Sequence, residues 1–198
     1  VEESAIRFGL AGVKNVGEGA IESIVAARSA GEFKSLVDFC ERIDMRLVNK
    51  RVLESLIKAG AFDWTGLRRS QLLAVCETAV DLAVARQRDK NNGQIGLFGE
   101  EQMNSIDELR IPNLEELPKA QILAMEKEMT GFFVTGHPLD AYRSQLSGVS
   151  KIGTILSKEC TDNQTVKIGG LITTAKRLPT KNGETMCFVS LEDFTGVV

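Results

Sequence analysis

A glycine-containing turn that leads into an apolar helix decides the fold of the first part of this chain. Residues 13–20 read Val-Lys-Asn-Val-Gly-Glu-Gly-Ala. The residues that follow place Ile21, Ile24 and Val25 at helical spacing, and Gly31 predicts where the helix ends. The first turn of a helix has unpaired N–H groups and the positive end of the dipole, so this pattern is typical of an anion site. A glycine-rich helix start without a ligand is the alternative.

A second turn of the same kind follows about thirty-five residues later. Asn49 is a predicted N-cap for a helix over residues 50–59, and Gly60 ends it. Arg46, Lys50 and Arg51 stand beside this turn. Two such turns on one side of a helical unit are typical of helix-hairpin-helix pairs, which hold DNA by its phosphates. A solvated helix face is the alternative for the basic cluster.

Further helices are predicted from apolar spacing and caps. Ser35 with Asp38 predicts the start of a short helix, and longer helices are expected over residues 67–88 and 119–129. Residues 93–118 carry two prolines and no sustained period, which indicates a linker. The Thr-Gly-His sequence at residues 135–137 reads as a turn before a helix over residues 138–146, not as a catalytic site.

The last fifty residues change to β-sheet character. Residues 165–175 and 185–191 are rich in β-branched and apolar side chains, and Asn182-Gly183 between them predicts a hairpin. A second domain is expected to begin near Val149. The predicted fold is therefore mostly α-helical, followed by a small β segment.

Composition excludes several classes of protein. The 198 residues carry a net charge of −3, with 43% hydrophobic and 26% charged residues. A folded chain is indicated, and any DNA surface must be a local patch. The four cysteines form no Cys-x-x-Cys pair, and one histidine cannot complete a zinc site. We expect a reduced, cytoplasmic chain with no membrane span, and a piece of a longer protein, since it begins without Met.

Two large apolar residues stand together in the polar linker. Leu97 and Phe98 follow Gln94, Ile95 and Gly96. As a peptide motif, Leu97 and Phe98 would fill an apolar pocket of a partner, with Gln94 adding a hydrogen bond. The alternative is that both side chains fold back on the chain's own core.

The order of these motifs resembles the alpha subunit of bacterial DNA polymerase III, a replicative polymerase of the DnaE type. The hairpin unit is followed by Leu-Ile-Lys-Ala-Gly-Ala-Phe-Asp at 56–63, the linker motif at 94–98, Gly-Phe-Phe-Val-Thr-Gly-His-Pro-Leu at 131–139 and Leu-Glu-Asp-Phe-Thr-Gly at 191–196. The resemblance covers essentially the whole chain. The ordered set is far more specific than any one motif.

The resemblance implies a role for each part of the chain. It implies tandem hairpins over residues 1–66, a connecting helix over 67–92, a linker over 93–117, a helical connector over 118–149 and the start of an OB-fold from 150 to 198. The hairpins would bind duplex DNA, the linker motif the sliding clamp (beta subunit), and the OB-fold single-stranded DNA. Other replisome subunits would bind through the rest of the parent chain. The residues implied are, for duplex DNA, Lys14, Asn15, Val16, Gly17, Gly19, Arg46, Asn49, Lys50 and Arg51; for the clamp, Gln94, Ile95, Gly96, Leu97 and Phe98; and for single strands, Lys167, Lys176, Arg177 and Lys181.

The sequence departs from the family pattern in three places. Asn15 stands where many hairpins have their first glycine, Gly96 replaces a polar residue, and the β segment offers about three strands where an OB-fold has five. No residue matches the family's catalytic carboxylates, so we expect no catalytic site or cofactor in this segment, with Mg²⁺ held in the parent's catalytic domain. The alternatives are a stand-alone helix-hairpin-helix/OB accessory protein of repair or recombination, and a protein-interaction domain whose glycine turns are only structural.

Overall fold

The computed structural model describes residues 8–91, 109–157, 161 and 163–198, with side chains for all of these except 89–91. The chain divides into two compact units, residues 1–134 and 135–198. The boundaries predicted from the sequence, at residues 66, 92, 117 and 149, stay predictions. None of the helices among the described residues combines the length and the hydropathy of a membrane-spanning segment.

The first unit is helical. After a short 3-10 helix at Leu10–Gly12, the helices are α1 (Glu18–Ser29), α2 (Leu36–Arg42), α3 (Lys50–Lys58), α4 (Arg69–Asn91) and α5 (Lys119–Thr130), with a 3-10 turn at Asp63–Thr65. Helix α2 packs against α4, and α3 packs against both α4 and α5. Residues 109–118 have no regular structure.

Local sequence signals place the starts and ends of these helices as predicted. The Ser35 hydroxyl accepts from the Asp38 N–H at the start of α2, and Asn49 Oδ1 accepts from the Val52 N–H at the start of α3. Gly31 and Gly60 both adopt a positive φ just past a helix, where a side chain would be strained. Helix α4 continues to Asn91, three residues further than predicted.

One apolar core lies within the first unit. Val52, Leu53, Leu56 and Ile57 of α3 are all nearly inaccessible to solvent, as the spacing predicts. The other core residues with little or no exposure include Leu36, Val37, Cys40, Val48, Phe62, Leu72, Cys76, Ala79 and Ala83. Val25 was predicted on the buried face of α1 but is half exposed, because that face is centred on Ala20 and Ile24.

The second unit contains short helices and a β-hairpin. A 3-10 helix at Pro138–Tyr142 leads into α6 (Arg143–Leu146), and α7 covers Ile152–Leu156. Strands β1 (Leu171–Pro179) and β2 (Thr185–Glu192) pair antiparallel in a two-stranded sheet, with Gly183 at positive φ in the turn. The hairpin predicted from Asn182-Gly183 is confirmed, although β1 begins six residues later than the predicted run.

The predicted fold class, mostly α with a small β segment, is therefore confirmed. Two strands are described where the sequence suggested about three, together with isolated bridges between Ser150 and Ile168 and between Glu192 and Val197. The assignment of this segment to an OB-fold stays a prediction.

Candidate nucleic-acid interface

Helix α1 begins with an open amino terminus. Its N-cap is Gly17, at φ −82° and ψ 165°, and no side chain accepts a hydrogen bond from its first turn. The first hydrogen bond of the helix runs from the Ile21 N–H to the Gly17 carbonyl. The N–H groups that precede Ile21 in the first turn therefore have no acceptor within the helix. A Cβ added at Gly17 would meet nothing within 4 Å. An anion can therefore approach the backbone closely at this point.

The turn before α1 is held by Asn15 in an unusual backbone conformation. Asn15 has a φ of 69°, in the left-handed region that asparagine tolerates better than most residues. Its side-chain Nδ2 donates to the Ser55 hydroxyl of α3 at 3.0 Å. This explains the departure noted in the sequence, since asparagine adopts the backbone angle that would otherwise favour glycine.

The second hairpin turn contacts helix α1 directly. The Asp44 N–H, in the turn before α3, donates to the Ser23 hydroxyl of α1 at 2.9 Å. The Leu47 side chain lies against Gly19, with its Cδ2 3.5 Å from where a Cβ would stand. The starts of α1 and α3 are thus neighbouring parts of one surface, which we call the hairpin surface.

The start of α3, unlike that of α1, is capped by a side chain of the turn that precedes it. Asn49 caps α3 through its side-chain oxygen, which leaves that oxygen unavailable to a ligand while the bond is made. Lys50 and Arg51 follow in the first turn of the helix, and both are exposed. The open helix start on the hairpin surface is therefore that of α1, whereas α3 contributes mainly positive charge.

Three of the predicted DNA-binding cations form ion pairs with carboxylates. Lys14 Nζ lies 3.2 Å from Glu128 of α5, and Lys50 Nζ lies 2.8 Å from Glu77 of α4. The third pair, Arg46 with Asp44, is within the second turn itself, at 2.8 Å. Arg51 is in none of the ion pairs formed among the described residues.

Two of these pairs, Arg46–Asp44 and Lys50–Glu77, shift the pKa values of their members. Hydrogen bonds from the Arg46 side chain and backbone lower the pKa of Asp44 to about 2. The hydrogen bond with Lys50 lowers the pKa of Glu77, and the same bond raises the pKa of Lys50. Asp44, Lys50 and Glu77 are therefore charged at neutral pH. A ligand that binds Lys14, Arg46 or Lys50 must compete with the carboxylate that each cation already contacts.

Comparison with known proteins agrees with the hairpin geometry. The family model described as "Helix-hairpin-helix motif" matches residues 1–72. The DNA polymerase III subunit alpha of Bacillus subtilis is 35% identical over 99% of this chain, and that of Halalkalibacterium halodurans is 39% identical over 98%. The Pseudomonas fluorescens subunit is 36% identical over 98%. The chain is homologous to a segment of DNA polymerase III subunit alpha.

The resemblance stated from the motifs is therefore confirmed. The chain spans about a sixth of the length of the curated relatives it matches, namely 17–18% of the three proteins named. The helix-hairpin-helix assignment rests on both the family match and the paired turns around Asn15 and Asn49.

A buried ionic cluster, which the sequence did not reveal, lies at the end of the hairpin unit. The Arg69 side chain is 4% exposed and bonds to Asp63 at 2.7 Å and to the fully buried Glu126 at 2.9 Å. Glu126 also accepts from the Val134 N–H. A Cβ on Gly60 would stand 2.5 Å from Arg69 Nη2. Asp63, Arg69 of α4 and Glu126 of α5 thus join the end of the hairpin unit to these two helices.

The segment before α5 caps helix α4. Glu116 accepts from the N–H groups of Arg69 at 2.9 Å and Ser70 at 3.1 Å. Desolvation opposes ionisation of Glu116, but the backbone donors of Leu117, Arg69 and Ser70 outweigh it and lower its pKa. This cap comes from a residue more than forty positions away, so no local pattern could have predicted it.

The residues predicted for single-stranded DNA do not form one cluster. Lys176 and Arg177 are consecutive on β1 and therefore point to opposite faces of the sheet. Lys176 pairs with Phe188 of β2, which is 56% exposed. Lys181 lies in the turn between the strands, and Lys167 precedes β1.

The Asp-Phe-Thr-Gly sequence at 193–196 has a structural role in the second unit. Asp193 Oδ2 accepts from the Ile152 N–H at 2.8 Å, and the Thr195 hydroxyl accepts from the Gly153 N–H at 2.8 Å. Both bonds cap the start of α7.

His137 is the N-cap of the 3-10 helix at Pro138–Tyr142. Its Nδ1 accepts from the Leu139 N–H, which agrees with the interpretation of His137 as a turn residue.

The clamp motif, Gln94 to Phe98, lies outside the described residues. Within the described residues, no group of three or more His, Cys, Asp or Glu side chains could hold a metal ion.

Proposed function

We propose that this segment holds duplex DNA by its phosphates, as part of a bacterial replicative DNA-directed DNA polymerase. The observation that carries the proposal is the uncapped start of α1 at Gly17, placed beside the second turn by the Asp44–Ser23 and Leu47–Gly19 contacts. Homology to polymerase alpha subunits along nearly the whole chain supports it over a stand-alone repair protein.

Each turn of the hairpin surface has a distinct part in this proposal. The backbone of the first turn and the α1 start would meet one phosphate, and the cations of the second turn another. Contacts of this kind carry no sequence information, which suits a polymerase that acts on any template. The residues proposed are Lys14, Asn15, Val16, Gly17, Gly19, Arg46, Asn49, Lys50 and Arg51.

The linker motif is proposed as the contact to the sliding clamp. Leu97 and Phe98 would enter an apolar pocket on the beta subunit, and Gln94 would fix the register of Ile95 and Gly96. A weak tether to a ring around the same duplex raises the effective concentration of the polymerase at the primer end. Other replisome subunits would bind elsewhere on the parent chain, in the bacterial cytoplasm.

The β segment is proposed to contact single-stranded DNA as the start of an OB-fold. Lys176 and the exposed Phe188 share one face, where a base could stack while a phosphate meets the lysine. Arg177 on the opposite face, Lys181 in the turn and Lys167 before β1 would contact phosphates elsewhere along the strand of DNA. Nucleotidyl transfer would take place in the parent's catalytic domain, with its Mg²⁺, and not in this segment.

The test is titration of the 198-residue chain against a fluorescein-labelled 20-base-pair duplex, followed by anisotropy at several salt concentrations. We expect the double variant Lys14→Gln, Arg51→Gln to bind more weakly than the parent and to show a shallower salt dependence. The slope of log affinity against log salt should fall by roughly one unit for each phosphate that the variant no longer neutralises.

The matched control is Arg110→Gln, Lys119→Gln, which also removes two exposed positive charges. If both double variants lose the same affinity, the hairpin surface is not the DNA site. Absence of duplex binding at any salt concentration would favour the protein-interaction alternative.

A further inference from the structure

Two carboxylates outside the hairpin unit hold two of its lysines. Glu77 lies on α4 and Glu128 on α5, beyond the residues 1–72 that the helix-hairpin-helix family model matches. Glu77 pairs with Lys50 and Glu128 with Lys14. Lys14 lies in the first hairpin turn and Lys50 at the start of α3, directly after the second turn. Their two carboxylate partners lie on two different helices.

The packing of the unit fixes these pairs. Helix α3, which begins at Lys50, packs against both α4 and α5. The Lys14 N–H donates to the Met129 carbonyl at 2.7 Å, next to Glu128 in sequence. The first turn is therefore attached to the end of α5 by its backbone, and the Lys14–Glu128 ion pair forms beside that bond.

The pairs are accessible to a ligand. The side chains of Lys14 and Glu128 are 53% and 59% exposed, and those of Lys50 and Glu77 are 47% and 71% exposed. An exposed ion pair is weak, so a phosphate can replace the carboxylate, but the lysine must first give up its existing partner. The Arg46–Asp44 pair is different, because Asp44 also accepts the Arg46 N–H and helps to form the turn.

We propose that Glu77 and Glu128 set the strength with which the hairpin surface holds DNA, by competing with phosphates for Lys50 and Lys14. This inference rests on the proposed function and adds two affinity-determining residues to it. The competing ligand is the phosphate backbone of duplex DNA. Removing either carboxylate frees its lysine, so duplex affinity rises by about two- to fivefold per pair, the range that the energy of an exposed ion pair allows.

The experiment measures duplex affinity of the 198-residue chain by anisotropy, for Glu77→Gln, Glu128→Gln and the double variant. Glu22→Gln is the matched control, because Glu22 is exposed on α1, close to the first turn, and is in none of the ion pairs among the described residues. The control measures the general effect of removing one negative charge. We expect a larger gain for Glu77→Gln and Glu128→Gln than for Glu22→Gln.

A double-mutant cycle separates competition from general charge effects. In a Lys14→Ala background, Glu128→Gln should have no more effect than Glu22→Gln, because the lysine it restrained is absent. The same holds for Glu77→Gln in a Lys50→Ala background. Equal effects of Glu128→Gln with and without Lys14 would overturn the inference.

The outcomes also distinguish this inference from the proposed function. If the parent chain binds duplex DNA and both glutamate variants match the Glu22→Gln control, the competition is refuted and DNA binding stands. If no variant binds duplex DNA under any condition, the proposed function itself fails. Circular dichroism of each variant checks that its total helical content matches that of the parent.

Discussion

Asn15 donates a side-chain hydrogen bond of 3.0 Å to Ser55, and this bond joins the turn of the first hairpin to the helix of the second. The donor residue has a φ of 69°, so the bond also holds the backbone in its left-handed conformation. The shape of the first turn thus depends on a residue forty positions further along the chain.

Substitutions at Asn15 should separate the contribution of the hydrogen bond to Ser55 from that of the left-handed backbone conformation. Asn15→Ala loses the bond to Ser55 and retains a strained φ, so we expect a destabilisation of about 2 kcal/mol. Asn15→Gly also loses the bond but accepts the φ without strain, and it should be less destabilising than Asn15→Ala. Urea unfolding measures both. A larger loss for glycine would mean that the turn changes conformation when the side chain is removed.

Gly17→Ala tests the open start of α1. The φ of −82° suits alanine and the added Cβ meets no atom, so the free energy of unfolding should change by less than about 1 kcal/mol. Duplex affinity should fall roughly tenfold, since the methyl group stands where a phosphate would approach and one charge-assisted hydrogen bond is lost.

Gly9→Ala is the control for this prediction. Gly9 also has a negative φ, of −75°, and open space around its Cβ position, but it precedes a 3-10 helix of three residues. Anisotropy with the labelled duplex should show normal binding for Gly9→Ala. Unchanged binding by Gly17→Ala would remove the α1 start from the DNA site.

Two glycines with similar backbone angles should respond differently to alanine. Gly60 has a φ of 85° and Gly66 a φ of 73°, so each alanine introduces about 1 kcal/mol of strain or more. Only at Gly60 does the new Cβ also meet the Arg69 guanidinium, whereas at Gly66 it meets no atom. We expect Gly60→Ala to be clearly more destabilising in urea. Equal losses would mean that the guanidinium moves aside freely.

The cap formed by Glu116 should make stability depend on pH. Its pKa is lowered in the folded state, so its contribution is present above the unfolded value of about 4.3 and disappears as the pH falls through the folded value. At pH 7 we expect Glu116→Gln to destabilise the chain by about 1 kcal/mol. The difference from the parent should vanish in acid.

Urea unfolding of both proteins between pH 7 and pH 3 measures this effect. Glu115→Gln, a change at the exposed neighbouring position, is the control and should leave the unfolding free energy nearly unchanged. A difference between Glu116→Gln and the parent that is constant across this pH range would show that the carboxylate charge does not contribute.

Local signals in the sequence were sufficient for most helix boundaries. Ser35 and Asn49 cap the helices that their positions predict, and Asn182-Gly183 forms the predicted hairpin turn. These features depend on residues within four positions of one another, where backbone geometry and side-chain bonding are decided together. The helical face of α1 was less well predicted, because the exposure of Val25 depends on which side meets the core.

The ionic contacts could not be predicted in the same way. Arg69 and Glu126 are fifty-seven positions apart, and Lys14 and Glu128 more than a hundred. Nothing in the sequence around Lys14 or Lys50 indicates that a carboxylate of α4 or α5 contacts these lysines. The hairpin residues were identified from their turn chemistry, but their ion-pair partners follow only from how the helices pack.

The buried Arg69 cluster has a consequence for how this chain can change over evolutionary time. Loss of Arg69 removes the cation that pairs with the fully buried Glu126 carboxylate, a change that destabilises a protein by about 3–5 kcal/mol. Loss of Glu126 removes one of the two carboxylates that pair with the buried Arg69 guanidinium. A side chain at Gly60 displaces the same guanidinium. Single substitutions at these positions are therefore disfavoured while the others remain, and an alignment of homologues should show Gly60, Asp63, Arg69 and Glu126 varying together.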